Sequence, residues 1–428
     1  MADYELTYPG GVLPLDAVDG TEAPAGLQIS KLLGTTGRVT YDSGFGNTAA
    51  CTSAITFIDG DAGILRYRGY PIEQLAKEST FLETSYLLIY GELPTAGQLD
   101  DFRGRIAKHT MLHEDLRDFF GGFRHDAHPM AVLNSAVSAL STFYQDSLDP
   151  FDADQVELST IRLLAKVPTI AATAYKKAVG QPALYPDNSI GYVENFLRMT
   201  FGVPAESYDV NPVMARALDM LFILHADHEQ NCSTSTVRMV GSANANMFTS
   251  IAAGIGALSG PLHGAANQAV IEMLEGIAAD GGDMKAFVER VKKKEPGVKL
   301  MGFGHRVYKN YDPRAAIVKQ ATHDVLTNLG VSDPLLDLAI QLEEIALADD
   351  YFIERKLYPN VDFYSGVIYK AMGFPTRMFT VLFALGRLPG WIAHWREMMT
   401  DSDTRIGRPR QVYTGATERS YVTVGDRK

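Results

Sequence analysis

After Tyr70 the apolar residues of this chain recur with a period near 3.6, and that pattern excludes most folds before any motif is considered. It predicts helices over Phe81 to Tyr90, Gln98 to Met111, Val132 to Tyr144, Val156 to Val179, Pro212 to Ala226, Thr234 to Leu258 and Asn267 to Ala278. Further helices are expected at Met284 to Lys293, Ala315 to Leu329, Pro334 to Asp349, Phe363 to Met372 and Thr376 to Gly386, with Gly or Pro between most of them. Strands do not alternate with these helices, so a doubly wound parallel sheet is excluded. Gly254-Ile255-Gly256-Ala257-Leu258-Ser259-Gly260 follows no strand and has the wrong spacing for a nucleotide fingerprint; it reads as close helix packing. Residues 1–65 differ, being rich in Gly, Thr and β-branched residues, with strand-like runs at Ala54 to Ile58 and Leu65 to Tyr67. The expected class is all-α, mainly helical, with a small β-containing N-terminal segment.

At 428 residues and 46% hydrophobic content the chain can bury a large core and is expected to divide into about two domains. Cys51 and Cys232 are the only cysteines, so neither a disulfide framework nor a CxxC metal spacing exists, and Cys232 reads as a buried small hydrophobe. The start, Met1-Ala2-Asp3-Tyr4-Glu5, has neither signal-peptide nor transit-peptide character, and a cytoplasmic location is expected. The longest uncharged stretch, Met239 to Ile271, contains Asn244, Asn246, Pro261 and several glycines; it suggests buried helices between subunits, not a membrane span. A net charge of −12 argues against a nucleic-acid partner, which would call for a basic face. Lys292-Lys293-Lys294 with Arg290 reads as a solvated helix end.

Chemistry concentrates in Gly302-Phe303-Gly304-His305-Arg306-Val307-Tyr308-Lys309-Asn310-Tyr311-Asp312-Pro313-Arg314. Asp312 suits an N-cap and Pro313 the first helical position, which puts Arg314 in a first turn where its guanidinium can fork onto a carboxylate ligand or pair with a surface acid. His225 and His228, at i and i+3, could suggest a metal site, but helix-end histidines satisfied by hydrogen bonds are the simpler reading, and no HExxH occurs. His263, in Gly260-Pro261-Leu262-His263-Gly264, is expected at a helix N-terminus, where the dipole favours a neutral ring that donates to a developing enolate oxygen. Asp362, among apolar and aromatic neighbours in Pro359-Asn360-Val361-Asp362-Phe363, is a desolvated candidate base and also a candidate N-cap.

Taken together, these motifs resemble citrate synthases of the bacterial type over nearly the whole chain. Gly260 to Gly264, Gly302 to Tyr308 and Pro359 to Phe363 stand in that family's order, and His225-Ala226-Asp227-His228-Glu229-Gln230-Asn231 and Gly407-Arg408-Pro409-Arg410-Gln411 agree as well. The resemblance implies condensation of acetyl-CoA with oxaloacetate and water to citrate and CoA, the first step of the tricarboxylic acid cycle. It assigns catalysis to His263, His305 and Asp362, and oxaloacetate binding to His228, Arg314, Arg387 and Arg408, the last from the second subunit of a homodimer. CoA would be met by Lys299, Leu300, Met301, Gly302, Phe303, Gly304 and Lys309. No metal and no cofactor is implied, because the CoA thioester is a substrate. The resemblance also implies a large helical domain of residues 66–263 and 369–428, a small mobile one of 264–368, and a homodimeric catalytic unit that can assemble into a hexamer and be allosterically regulated.

Ala265 departs from the family, which commonly has a second glycine there; helix-compatible φ and ψ would make the methyl tolerable. A 2-methylcitrate synthase using propionyl-CoA would share every catalytic group and differ by one methylene, about 1–3 kcal/mol of discrimination. A noncatalytic CoA- or dicarboxylate-binding module would be free to lose Asp362 or His263, and both are present. A zinc hydrolase built on His225 and His228 is the weakest alternative.

Overall fold

The computed structural model describes residues 4–22, 24–305, 307–308, 312–330 and 334–427. It is mainly helical, as the periodicity predicts, and it falls into two compact units, Met1–Thr52 with Ile406–Lys428, and Ser53–Arg405. The first unit holds an antiparallel hairpin of Tyr4–Tyr8 and Gly11–Leu15, a short pair of Ala17–Val18 and Gly26–Leu27, and the exposed C-terminal tail. The second unit begins with a three-stranded antiparallel sheet, Thr56–Asp59, Ile64–Tyr67 and Tyr70–Pro71, and is helical from there on.

Helix starts follow local chemistry. Phe81–Tyr90 and Ala96–Ala107 each open with a capping box, Thr80 with Glu83 and Thr95 with Gln98. Pro212–His225 and Pro313–Leu329 begin with Pro at the first turn behind Asn211 and Asp312 caps. The helix Phe379–Thr400 forms the spine. Almost every face of it is buried, against Phe81–Tyr90, Pro212–His225, Cys232–Gly241, Met247–Leu258 and Ala153–Val179. Ala266–Ala279 and Pro313–Leu329 instead pack on Val361–Ala371, with Pro334–Ala348 beside them.

Two expected helices are corrected. Thr234 to Leu258 is not one helix but two, Cys232–Gly241 and Met247–Leu258. Asn244 turns left-handed at φ 61°, and Asn246 restarts the helix by accepting the Thr249 N–H at 3.0 Å, local hydrogen bonding to which apolar periodicity is blind. The helix expected at Thr376 to Gly386 begins at Phe379 and runs on through Gly386 and Pro389 to Thr400. These glycines are contact points, not breaks: a Cβ on Gly386 would lie 3.0 Å from His225 Cβ, and one on Gly390 would lie 2.2 Å from the Ala226 carbonyl oxygen. Ile72–Glu78 and Tyr192–Phe201 are further helices, not among those expected from the apolar period. Gly254 meets its expected role, since a Cβ there would stand 2.5 Å from Val237 of the preceding helix. Cys232 is exposed at the first position of its helix, not buried; the buried side of that helix is formed by Ser233, Thr234 and Val237.

Candidate active site

Two motifs distant in sequence are locked together by backbone. Gly304 N–H donates to the Tyr358 carbonyl at 2.8 Å, Asn360 N–H donates to Gly302 at 2.9 Å, and Asn360 Nδ2 reaches the Gly304 carbonyl at 2.8 Å. Gly302 and Gly304 adopt φ of 76° and 71°, and a Cβ on Gly302 would sit 2.7 Å from Val270 Cγ2, so the loop requires glycine there on two counts. Asn360, not Asp362, caps the helix Val361–Ala371 by accepting the Asp362 N–H at 3.0 Å. Asp362, one residue into that helix, is thereby relieved of capping. Burial raises its carboxyl to about 6, although Arg314 and Arg387 both pull it down.

Arg314 is buried in the first turn, as the sequence predicts, but its fork is closed on its own N-cap: Nε and Nη2 each lie 3.0 Å from the two oxygens of Asp312. The partner is a buried acid, not a surface one. Burial works against the Arg314 cation, and the Asp312 carboxylate, through its charge and its hydrogen bonds, together with Tyr308 and Tyr67 more than offsets it. The same Asp312 carboxylate accepts the Val361 N–H at 3.0 Å, so it joins the helix carrying Arg314 to the helix carrying Asp362.

The histidines arrange themselves by hydrogen bonds whose direction is fixed. His263 Nε2 accepts the Ser233 N–H at 3.2 Å and lies 2.9 Å from Ser233 Oγ. A backbone N–H can only donate, so the neutral ring carries its proton on Nδ1. The positive helix end that meets this ring is that of Cys232–Gly241; the helix following His263 begins at Ala266, with Ala265 at φ −102° and ψ 14°, a conformation that tolerates its methyl. Burial, then Arg387, lowers His263 to about 4. His305 Nδ1 accepts from Val307 N–H at 3.0 Å and Tyr308 N–H at 3.2 Å, which leaves its proton on Nε2; burial and Arg314 lower it to about 4. His228 lies with its Nε2 3.3 Å from the Tyr308 hydroxyl and its ring 5.2 Å from that of His305, and burial holds it well below its ordinary value. All three rings are therefore neutral donors or acceptors at physiological pH.

Arg387, 1% exposed, donates through Nε to the His225 carbonyl at 2.6 Å. Its Nη1 is buried without a hydrogen-bond partner, and no carboxylate forms an ion pair with it among the described residues. Its charge acts on His228, His263 and Asp362 alike, which places these groups around one locus. Tyr308 packs against His228, His305 and Arg314, and Phe383 against His225, His263 and Arg387. Asp312, Ser233 and Phe383 were not assigned to the site from sequence; only Asp312 carried a signal, as an N-cap.

Of the remaining expectations, Lys299 is exposed and Leu300, Met301, Phe303 and Gly304 are half-buried around the locked loop, whereas Arg306, Lys309, Asn310 and Tyr311 lie outside the described residues. Arg408 is exposed in the tail, in the other unit. Lys292 pairs with Glu289 and Asp349, and Arg290 with Asp280 and Glu295, so that basic cluster is a charge-paired helix end. Among the described residues, no three His, Cys, Asp or Glu side chains gather as a metal site, and no helix is long and apolar enough to cross a membrane. A surface cleft of about 510 Å³ beside Glu194, Arg198 and Tyr208 contains none of the groups above.

A carboxyl held near 6, two neutral histidines with opposite ring protons free, and buried guanidinium charge define a site for carbon acid chemistry on an anionic substrate. The family model for the citrate synthase C-terminal domain matches residues 44–410. The chain is 69% identical to citrate synthase 1 of Mycobacterium tuberculosis over 431 aligned positions, covering all of both chains, and 62% identical to the citrate synthase of Corynebacterium glutamicum, covering 97% of this chain and 95% of that one. Among solved structures it resembles citrate synthase from Pyrobaculum aerophilum, with a TM-score of 0.82, 36% identity and coverage of 99% and 98% of the two chains. It also resembles the ternary complex of carboxymethyl coenzyme A and oxaloacetate with citrate synthase from Thermoplasma acidophilum, with a TM-score of 0.81, 31% identity and coverage of 91% and 100%. The chain belongs to the citrate synthase family. Its activity is that of a citrate (Si)-synthase, an acyltransferase that condenses acetyl-CoA with oxaloacetate and water to give citrate and CoA; the relatives do not favour the propionyl-CoA alternative.

Proposed function

We propose that Asp362 removes a methyl proton from acetyl-CoA while the Nδ1–H of His263 stabilises the enol or enolate oxygen. The nucleophilic carbon attacks the oxaloacetate ketone, whose oxygen takes a proton from His305 Nε2–H, and citryl-CoA forms. Water then attacks the thioester carbonyl and gives up a proton that restores His305, the carbon–sulfur bond breaks, and CoA leaves as the thiol with the proton that Asp362 had taken. His228, Arg314 and Arg387 hold the oxaloacetate carboxylates, with Arg408 contributed by the partner in a homodimer that can assemble further. The backbone of 299–304 and the side chain of Lys309 meet CoA. Residues 264–368 close as a small domain over the large one and exclude water until citryl-CoA exists. The enzyme works in the cytoplasm and is open to allosteric control.

The observation that carries this reading is Arg387: a buried guanidinium with an unpartnered nitrogen is costly unless an anion completes it. The Thermoplasma relative in complex with oxaloacetate supports a dicarboxylate as that anion. The test is free-thiol release from acetyl-CoA, and in parallel from propionyl-CoA, with and without oxaloacetate, in the wild type and in Arg387→Leu. Expected are oxaloacetate-dependent release favouring acetyl-CoA and a KM for oxaloacetate raised at least about tenfold in the variant. An unchanged KM would remove Arg387 from the site.

A further inference from the structure

His394 lies two helical turns beyond Arg387, on the same face of the spine helix, and is 1% exposed. Its Nε2 stands 3.2 Å from Oδ2 of Asp227, which is fully buried, and its Nδ1 stands 3.3 Å from Gln230 Nε2. An amide nitrogen donates, so Nδ1 accepts and Nε2–H points at the carboxylate. One imidazole thus grips both sides of the turn that carries His228. The turn is strained and tightly held: Glu229 has φ 56°, its N–H donates to Asp227 Oδ2 at 3.0 Å, and the Tyr67 hydroxyl bonds both the N–H and the carbonyl of Asp227, at 3.2 and 3.0 Å. Gly390 lets the spine approach this turn, since a Cβ there would stand 2.6 Å from Asp227 Oδ1. Asp227 forms no ion pair with Lys or Arg among the described residues, yet its charge is the largest that favours the Arg387 cation.

We propose that Asp227, His394 and Gln230 form a clamp that positions His228 and supplies the counter-charge to Arg387, making oxaloacetate affinity depend on side chains that do not touch oxaloacetate. The proposal rests on the assignment of His228 and Arg387 to that substrate. The groups facing Asp227 are His394 and Arg387 from the spine helix, Thr56, Tyr67 and Arg68 from the sheet and its turn, and Glu229 beside it. Burial disfavours the Asp227 anion, but His394 is the foremost of the groups that keep it ionised.

The experiment compares His394→Ala, His394→Gln, Gln230→Leu and His228→Ala by thiol release, with thermal melting of each. His394→Ala is expected to raise the KM for oxaloacetate about tenfold while the KM for acetyl-CoA stays within about twofold. His394→Gln, whose amide nitrogen replaces Nε2, should restore most of the affinity. If His394→Ala does not fold, Gln230→Leu must show the same split to a lesser degree. Equal changes in both KM values, no change in either, or no recovery in His394→Gln overturns the clamp. An unchanged oxaloacetate KM in His228→Ala would instead overturn the site assignment beneath it.

Discussion

Replacing Asp362 by Asn should make the protein more stable and nearly inactive, and the structure fixes both the sign and the scale. Burial raises the carboxyl from 3.8 to about 6, and that gap of about two units corresponds to roughly 3 kcal/mol. The folded state holds the proton more tightly than the unfolded chain. Above about pH 6 both states are ionised and the fold bears the full cost of a buried charge. Between about pH 6 and pH 4 only the folded state takes up the proton, so the cost shrinks, and it is gone below the unfolded value. Asparagine keeps the shape without the charge. In urea unfolding at about pH 8 the variant should therefore gain up to roughly 3 kcal/mol, and the gain should fade as the pH falls through about 6 to 4. In thiol release kcat should drop at least about 10²-fold, since the proposed base is deleted. The wild-type kcat/KM for acetyl-CoA should lose about tenfold per pH unit below about 6. A variant less stable at pH 8, a stability difference indifferent to pH, or near-normal turnover would refute the argument.

Two further outcomes test the scaffold around the site. Gly302→Ala forces a Cβ to within 2.7 Å of Val270 and 3.0 Å of Phe363 Cα at φ 76°; melting temperature and activity should both fall, and an unaffected variant would show that the loop is not held as described. Ser233→Ala keeps the N–H that fixes the His263 tautomer but removes the hydroxyl that accepts the Trp391 indole at 3.1 Å. A kcat loss of about fivefold with little change in either KM is expected from the steady-state assay, and a loss as large as that of His263→Ala would contradict a supporting role.

The helices and the motifs were legible where one local rule decides. Phe81–Tyr90 shows its apolar period between a Thr80 cap and a left-handed Gly91, and its bounds match the prediction. Asp312-Pro313 announces a helix start, and the start is there. Legibility failed where two rules compete. Gly386 and Pro389 look like a stop, but burial on every side of Phe379–Thr400 carries the helix through them. At the site, sequence suggested which residues matter but not how they are spent: Arg314 binds its own cap, Asn360 relieves Asp362 of capping, and His263 meets a helix 30 residues before it in the chain. Those arrangements depend on tertiary approach, which no spacing encodes.

The Asp312 carboxylate has a mechanical meaning as well as an electrical one. Because it grips the Arg314 guanidinium and the Val361 N–H together, the starts of two helices are hinged to a single atom group and travel as one corner. Through that shared carboxylate, Asp362, the proposed base, and this arginine keep their mutual spacing in the proposed closure. Under the proposed closure of residues 264–368, the gap that varies is the one between that corner and the spine bearing Arg387, and a crosslink from Pro313–Leu329 to Val361–Ala371 should leave turnover untouched, whereas one from either helix to the spine should arrest it.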